Sequence, residues 1–368
     1  MWGARQTGKS TLLKQLFPRA KWYDLLLADV YSKLVSRPAL MREELTAQMP
    51  SSTPSDDPIV LDEVQKIPAL LDEVHWLIEN KGYRFVLCGS SARKIRRTHA
   101  NLLGGRAIRY ELHGIVTAEV DDFSMEKAVN NGLLPPHYQS SDSQPLLSAY
   151  VGNYLKEEIA AEALVRNIPS FSRFLEAAAF SNGELIGYQT ISRDCGISAP
   201  TIKAHFEILV DTLLGKFVQP YRKAKKRRLV TMPKFYLFDP GIVRYLLKQT
   251  HIEKGSPAFG KAFEHVISCE LAAYLSYQRP DVELTYWRTS SGFEVDFILG
   301  DMTAAIEAKA TDLANDNHLK GLRALGQEHA CGKRILVSCD PNPRKTSDNI
   351  DIMPWKHFCA MLWNKEIV

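Results

Sequence analysis

Long apolar runs are missing from this 368-residue sequence, and none reaches the length a helix needs to cross a membrane. No charged-then-apolar leader is visible either, so a cytoplasmic location and no membrane partner are expected. Cysteine is scarce and unpatterned: Cys88, Cys195, Cys269, Cys331, Cys339 and Cys359 form no Cys-x-x-Cys pair and have no matching histidine spacing. That argues against a disulfide scaffold or a zinc cage and leaves reduced structural thiols. Neither sign of charge dominates. With 46 Lys+Arg against 42 Asp+Glu the net charge is +4, and bulk charge says little about nucleic acid. A content of 45% hydrophobic and 24% charged residues is that of a soluble globular protein, and the length predicts two or three domains.

Against these absences, the most informative feature present is Gly3-Ala4-Arg5-Gln6-Thr7-Gly8-Lys9-Ser10, a complete Gly-x-x-x-x-Gly-Lys-Ser phosphate-binding loop. Its glycines let the backbone curl so that successive N–H groups face phosphate oxygens. Lys9 is placed to reach the β/γ-phosphates and the Ser10 hydroxyl to ligate Mg²⁺. From Thr11 onward the sequence predicts the helix whose N-terminus holds the phosphates. ATP and Mg²⁺ are the expected cofactors; the bland alternative is a Gly-rich turn.

About fifty residues on, Ile59-Val60-Leu61-Asp62-Glu63 is a short apolar strand ending in two carboxylates, a Walker B pattern. Asp62 is expected to hold Mg²⁺ through its water shell and Glu63 to orient or deprotonate the attacking water. Residues 70 to 78 have helical spacing, and 84 to 91 read as another buried strand with a polar end. Such βαβ alternation predicts a parallel sheet with its ligand at the carboxyl ends of the strands. Ser90 is therefore a candidate γ-phosphate sensor, or else a cap for the next helix. Only Met1 and Trp2 precede the loop, where P-loop folds have a buried strand. The expectation is a shortened first domain, with an unfilled or substituted sheet position beside the Walker B strand and weakened ATP binding. Failure to bind ATP at all stays open.

Gly-Ala-Arg-Gln-Thr-Gly-Lys-Ser, Leu-Asp-Glu-Val-Gln-Lys-Ile-Pro, and Cys-Gly-Ser-Ser followed by Leu-Leu-Gly-Gly-Arg at 102 to 106 resemble a large prokaryotic group of AAA+-like ATPases. The resemblance covers nearly the whole chain. It implies a nucleotide-dependent switch with a restriction-endonuclease-like C-terminal domain of uncharacterised role. Arg106 matches the group's Gly-Arg motif; a trans-acting arginine finger in a homo-oligomer and a salt bridge or surface phosphate contact are both open.

Residues 135 to 145 read as a linker or loop. Beyond them, 150 to 155 and 171 to 179 predict packed helices. Residues 189 to 203, with Gly196 between a short helix and a Ser/Pro helix start, have helix-turn-helix spacing. The second helix is expected to bury Ile202, Phe206 and Leu209 and to leave Lys203 outside. Residues 217 to 221 and 235 to 238 look like paired strands of a β-wing. Between them, Arg222-Lys223-Ala224-Lys225-Lys226-Arg227-Arg228 puts six cations in seven residues, with a smaller cluster at 93 to 97. A winged-helix module gripping DNA phosphates through segment 222 to 228 is one reading. A structural module with a solvated basic loop is the other.

Near the C-terminus Glu264 lies in an amphipathic helix. Residues 287 to 300 read as a strand with a turn at either side, and Ala304-Ala305-Ile306-Glu307-Ala308-Lys309 completes Asp-(x)n-Glu-x-Lys with Asp296. In a strand, Glu307 and Lys309 share one face, and antiparallel pairing brings Asp296 beside them. Glu264, Asp296 and Glu307 are the expected metal ligands, with Lys309 helping to activate a hydrolytic water. The arrangement resembles PD-(D/E)XK nucleases, with Val295-Asp296 in place of Pro-Asp and the family's helix Glu carried onto Glu264. The alternative for 302 to 310 is a helix. A strand at 333 to 338 and a closing helix around Trp355 complete the tail.

The expected fold is α/β in three parts: a P-loop parallel-sheet ATPase domain at 1–135 lacking its first strand, a helical and winged-helix domain at 146–250, and an α/β restriction-endonuclease-like domain at 255–368. The expected function is an ATPase coupled to DNA binding or cleavage. The alternative is a non-catalytic ATP-controlled switch with a degenerate nuclease fold.

Overall fold

Ile59-Val60-Leu61 is apolar without alternation, the pattern of a strand covered on both faces, and it becomes the middle strand of a three-stranded parallel sheet. The computed structural model describes residues 1–48, 57–90, 107–155, 167–222 and 232–368. These divide into two compact units, Met1–Leu112 with Asp211–Leu213, and His113–Val210 with Leu214–Val368.

In the first unit β1 (Trp22–Asp24), β2 (Ile59–Asp62) and β3 (Phe85–Leu87) lie in the order β1-β2-β3, all parallel. Ile59 and Leu61 point into a core shared with Leu70, Val74 and Leu77, while Val60 packs with Leu13 and Cys88 on the opposite face. Leu13 belongs to α1 (Lys9–Leu16), and Leu70, Val74 and Leu77 to α2 (Leu70–Lys81). The sequence predicts an unfilled or substituted position beside the Walker B strand, and the sheet differs. Both sides of the Walker B strand are filled, by β1 and β3. Trp2 instead bridges Gly89 beyond β3 on one side and Glu111 on the other, both in parallel sense. Its amide donates to Tyr110 and its carbonyl accepts from Leu112.

The second unit is built on an eight-stranded mixed sheet, β10-β11-β9-β8-β7-β6-β4-β5. In chain order its strands are β4 (Gly215–Pro220), β5 (Lys234–Leu237), β6 (Leu284–Arg288), β7 (Glu294–Leu299), β8 (Ala304–Lys309), β9 (Lys333–Ser338), β10 (Arg344–Lys345) and β11 (Asp351–Pro354). The helical alternative for 302 to 310 is not adopted. Ala304, Ile306 and Ala308 alternate into a core against Phe263, Ile267 and Leu271 of a long helix, a burial that overrides the helix propensity of an Ala-rich segment. Ala305 faces the other way, toward Leu322 and Leu325.

Helix α3 (Ile168–Phe180) precedes the helix pair α4 (Tyr188–Cys195) and α5 (Ala199–Asp211), with Gly196 capping α4 in the left-handed region at φ 65°. As the spacing predicts, α5 buries Ile202, Phe206 and Leu209 and leaves Lys203 exposed. Strands β4 and β5 pair antiparallel, with Phe217 opposite Phe235. The pair is no free wing, however. β4 also pairs in parallel with β6, Gln219 opposite Thr285, so segments expected in separate domains share one sheet. The expected linker at 135 to 145 is partly helical. Pro135–Tyr138 and Gln144–Ala149 are short helices with proline in the first turn, a position where its missing N–H costs no intrahelical bond.

Helix α6 (Pro257–Gln278) carries Glu264 and is capped by Ser256, which accepts from the Phe259 amide at 3.1 Å. Helix α7 (Trp355–Trp363) closes the chain, with Trp363 Nε1 donating to Glu270 Oε1 at 2.6 Å. Among the described residues the six cysteines are free, and no helix is long and apolar enough to cross a membrane.

Candidate functional site

The loop from Gly3 to Gly8 turns into α1 through Gly8 at φ 92°, a left-handed conformation that side-chain-bearing residues rarely adopt. Gln6, at φ 63°, takes the same region. Gly3, Ala4, Thr7 and Lys9 are buried, Arg5, Gly8 and Ser10 half-buried, and Gln6 and Thr11 exposed. The loop is braced from within, since Thr7 Oγ1 donates to the Ala4 carbonyl at 2.9 Å. Lys9 Nζ folds back and donates to the Gly3 and Ala4 carbonyls, each at 2.8 Å. These acceptors are neutral. A phosphate oxygen offers the ammonium a stronger, charge-assisted partner.

The two motifs meet. Ser10 Oγ donates to Asp62 Oδ2 at 2.6 Å, and Asp62 Oδ1 accepts from the Glu63 amide at 3.0 Å. Glu63 is buried at the end of β2 with a positive φ of 57°, which swings its side chain out of the strand's alternation. Its carboxylate accepts from the Gln65 side-chain amide, which also donates to Ser90 Oγ at 3.2 Å. Glu63, Gln65 and Ser90 thus form one buried polar group. Gln65 has no motif role in the sequence; its polarity between the buried Val64 and Ile67, two residues past Glu63, is its one signal. Cys88 packs beside Asp62, and burial followed by that carboxylate pushes its thiol well above the usual range. This keeps it an inert, protonated wall residue.

Arg106, the cluster at 93 to 97 and residues 223 to 228 of the basic segment lie outside the described residues. So does any helix that Ser90 would cap.

In the second unit Glu264, Asp296, Glu307 and Lys309 converge from α6, β7 and β8. Lys309 Nζ lies 2.6 Å from Glu307 Oε1 and 3.6 Å from Asp296 Oδ2. The Ala308 amide donates to Asp296 Oδ2 at 3.1 Å, fixing the carboxylate across the hairpin. Four further residues, Lys234, Tyr236, Arg288 and Glu294, join them. Lys234 Nζ sits 2.5 Å from Glu294 Oε1, 3.4 Å from Asp296 Oδ1 and 3.5 Å from Glu264 Oε1. Tyr236 OH donates to Glu264 Oε1 at 2.5 Å. Arg288 Nη1 pairs with Glu294 Oε2 at 2.9 Å. The sequence shows no basic neighbour for Lys309; the fold supplies Lys234 from β5. Its signal was a lone Lys two residues ahead of an inward Tyr at the head of an aromatic strand.

Burial opposes charge on Lys234, but Glu264, Tyr236, Asp296 and Glu294 outweigh it and raise its pKa well above the ordinary value. Burial, then Asp296, raises Glu264 to about 7 and Glu307 to about 8. Asp296 moves the other way. Its burial is overcome by Lys234 and Lys309, which hold it below the usual carboxylate range. Among the described residues no group of three or more His, Cys, Asp or Glu is placed to hold a metal ion.

The loop, the Walker B strand and the parallel sheet define a P-loop ATPase-like domain, and residues 1–120 match the family model described as an AAA domain. More particularly, residues 123–253 match a domain of unknown function (DUF8612), and residues 259–358 match another (DUF4143). Uncharacterized proteins of Mycobacterium bovis and Mycobacterium tuberculosis are each 25% identical over 246 residues, covering 65% of this chain and 55% of their own length. The chain therefore aligns with about half the length of these curated relatives. No solved structure matches it.

Proposed function

We propose that the N-terminal unit binds ATP with Mg²⁺ and hydrolyses it, and that this cycle controls binding of DNA or protein by the rest of the chain. The observation that carries the ATP reading is the 2.6 Å Ser10–Asp62 hydrogen bond, which gathers a hydroxyl and a carboxylate at the mouth of the loop. Those oxygens fit a hard cation that keeps part of its water shell. Mg²⁺, when bound, neutralises charge on the β- and γ-phosphates. Lys9 then exchanges its carbonyl acceptors for phosphate oxygens, Glu63 takes the proton of the attacking water, and Ser90 lies within the same polar group to sense the γ-phosphate. The test is ATP affinity and turnover with and without Mg²⁺ for wild type and Lys9→Ala; equal affinity in the two proteins sinks the assignment.

A nuclease-like fold for 255–368 is supported by the β7–β8 hairpin carrying Asp296, Glu307 and Lys309 beside the helix that bears Glu264. A DNA partner is supported by the α4–α5 pair and the basic run 222 to 228. A second reading is metal-dependent phosphodiester cleavage, favoured by the convergence of those four side chains. Plasmid incubation with Mg²⁺ or Mn²⁺ separates the two. Cleavage by wild type that Asp296→Ala loses supports the enzyme, and intact plasmid under both metals supports the binding switch.

A further inference from the structure

Two of the carboxylates expected to share a divalent ion, Glu264 and Asp296, face a different cation, Lys234, while the third, Glu307, pairs with Lys309. Lys234 Nζ lies between Glu294, Asp296 and Glu264, within 3.5 Å of all three, and its side chain is only 4% exposed. Mg²⁺ needs oxygen ligands at about 2.1 Å in near-octahedral order. An ion bridging Glu264 Oε1 and Asp296 Oδ1 would compete for the two oxygens that already face the ammonium, and the two positive charges would repel. The acids also have other cationic partners, although Glu307 Oε2 is buried without a hydrogen-bond partner. Lys309 pairs with Glu307 and Asp296, and Arg288 with Glu294. Glu264 and Asp296 therefore do not fit a shared metal ion while Lys234 is in place.

We propose that Lys234 is a built-in cation occupying the position where Glu264 and Asp296 would otherwise share a divalent metal ion, so that Asp296 serves an ion cluster rather than a metal site. Several features hold the lysine there. It opens β5, whose register places it opposite Val218 of β4. Its ammonium also lies 5.8 Å from the centre of the Tyr286 ring, a cation–π distance, and Tyr286 OH is tied to the Met232 carbonyl two residues before it. Tyr236, two residues on and on the same side of the strand, donates to the Glu264 oxygen that also faces Lys234. Leaving this place would strip a buried ammonium of three anionic partners and leave the acids uncompensated. The inference is independent of the ATP reading and opposes metal-dependent cleavage.

The test is a Mn²⁺ titration of the full chain without nucleotide, followed by electron paramagnetic resonance, in an Asp62→Asn background that weakens the loop's own metal site. With Lys234 present no Mn²⁺ site that depends on Asp296 is expected, and EDTA should leave the melting temperature unchanged. Lys234→Ala should gain one Mn²⁺ site, at least about tenfold tighter than background, that is lost again on adding Asp296→Asn. An Asp296-dependent Mn²⁺ site in the chain that keeps Lys234 overturns the proposal. A folded Lys234→Ala protein that gains no site also overturns it. Should Lys234→Ala fail to melt cooperatively, the Lys234-containing chain decides alone: an Asp296-dependent site refutes the proposal, and its absence with an EDTA-indifferent melt supports it.

Discussion

Ser10 Oγ and Asp62 Oδ2 stand 2.6 Å apart although 52 positions separate them in sequence. The contact joins the first turn of α1 to the end of β2, so the phosphate loop and the carboxylates at the end of that strand lie side by side. It also makes the first prediction specific to this geometry. Asp62→Asn should keep the fold, because an amide oxygen still accepts from Ser10. It should weaken Mg²⁺-dependent ATP binding about tenfold or more through loss of the negative charge. Titration with a fluorescent ATP analogue with and without Mg²⁺ reads this; unchanged Mg²⁺ dependence would remove Asp62 from the site.

Glu63→Gln should bind ATP about as well as wild type and lose turnover by roughly 10²–10⁴-fold, the usual contribution of a positioned general base. Gln65→Leu should also leave affinity unchanged while altering kcat, since it deletes the amide that holds Glu63 and contacts Ser90. If Gln65→Leu changes affinity alone and spares kcat, Gln65 is not positioning Glu63.

Glu307 titrates near 8 in the folded chain because it is buried and faces Asp296. Its unfolded value is about 4.3. A carboxyl whose folded pKa is raised contributes stability that is complete below the unfolded pKa and is lost as pH rises through the folded value. Stability of the second unit should therefore fall as pH rises from about 4 to about 8 and level off above, by on the order of 1 kcal/mol per pH unit, and Glu307→Gln should flatten the fall. Urea midpoints across that range test it, and a wild type whose stability rises with pH contradicts the assignment.

Gly321 lies in the helix Lys320–Glu328, where a Cβ would come within 1.9 Å of the Glu294 carbonyl oxygen at the head of β7. That carbonyl belongs to the backbone and cannot swing away. Gly321→Ala should cost about 1–3 kcal/mol by overpacking, and the displaced strand carries Glu294 and Asp296. Thermal melts should show the loss. A neutral or stabilising change would mean that helix and strand can separate freely.

Neutralising four cations in 222 to 228 should weaken DNA binding about equally across sequences and flatten its salt dependence, because each lost phosphate contact removes about one released counterion. An unchanged salt slope returns the segment to a solvated basic loop.

The sequence by itself determined what depends on neighbours along the chain. The phosphate loop, the Ile59–Asp62 strand, the α4–α5 pair with Gly196 between them and the β7–β8 hairpin all follow from local period, turn chemistry and short motifs. Asp296, Glu307 and Lys309 were legible for the same reason, since alternation along two adjacent strands fixes which residues share a face, whereas Glu264 came from the nuclease resemblance. Tertiary structure alone decided which distant segments complete each site. It set Trp2 between Gly89 and Glu111 rather than leaving a gap beside the Walker B strand. It joined β4 to β6, so that the expected wing became part of the second sheet. That join brings Lys234 to Asp296 from 62 positions away. A strand's own residues fix its faces, but its sheet neighbours are fixed by which apolar surfaces can be buried together over the whole chain, and the charge environment of Asp296 depends on that long-range choice.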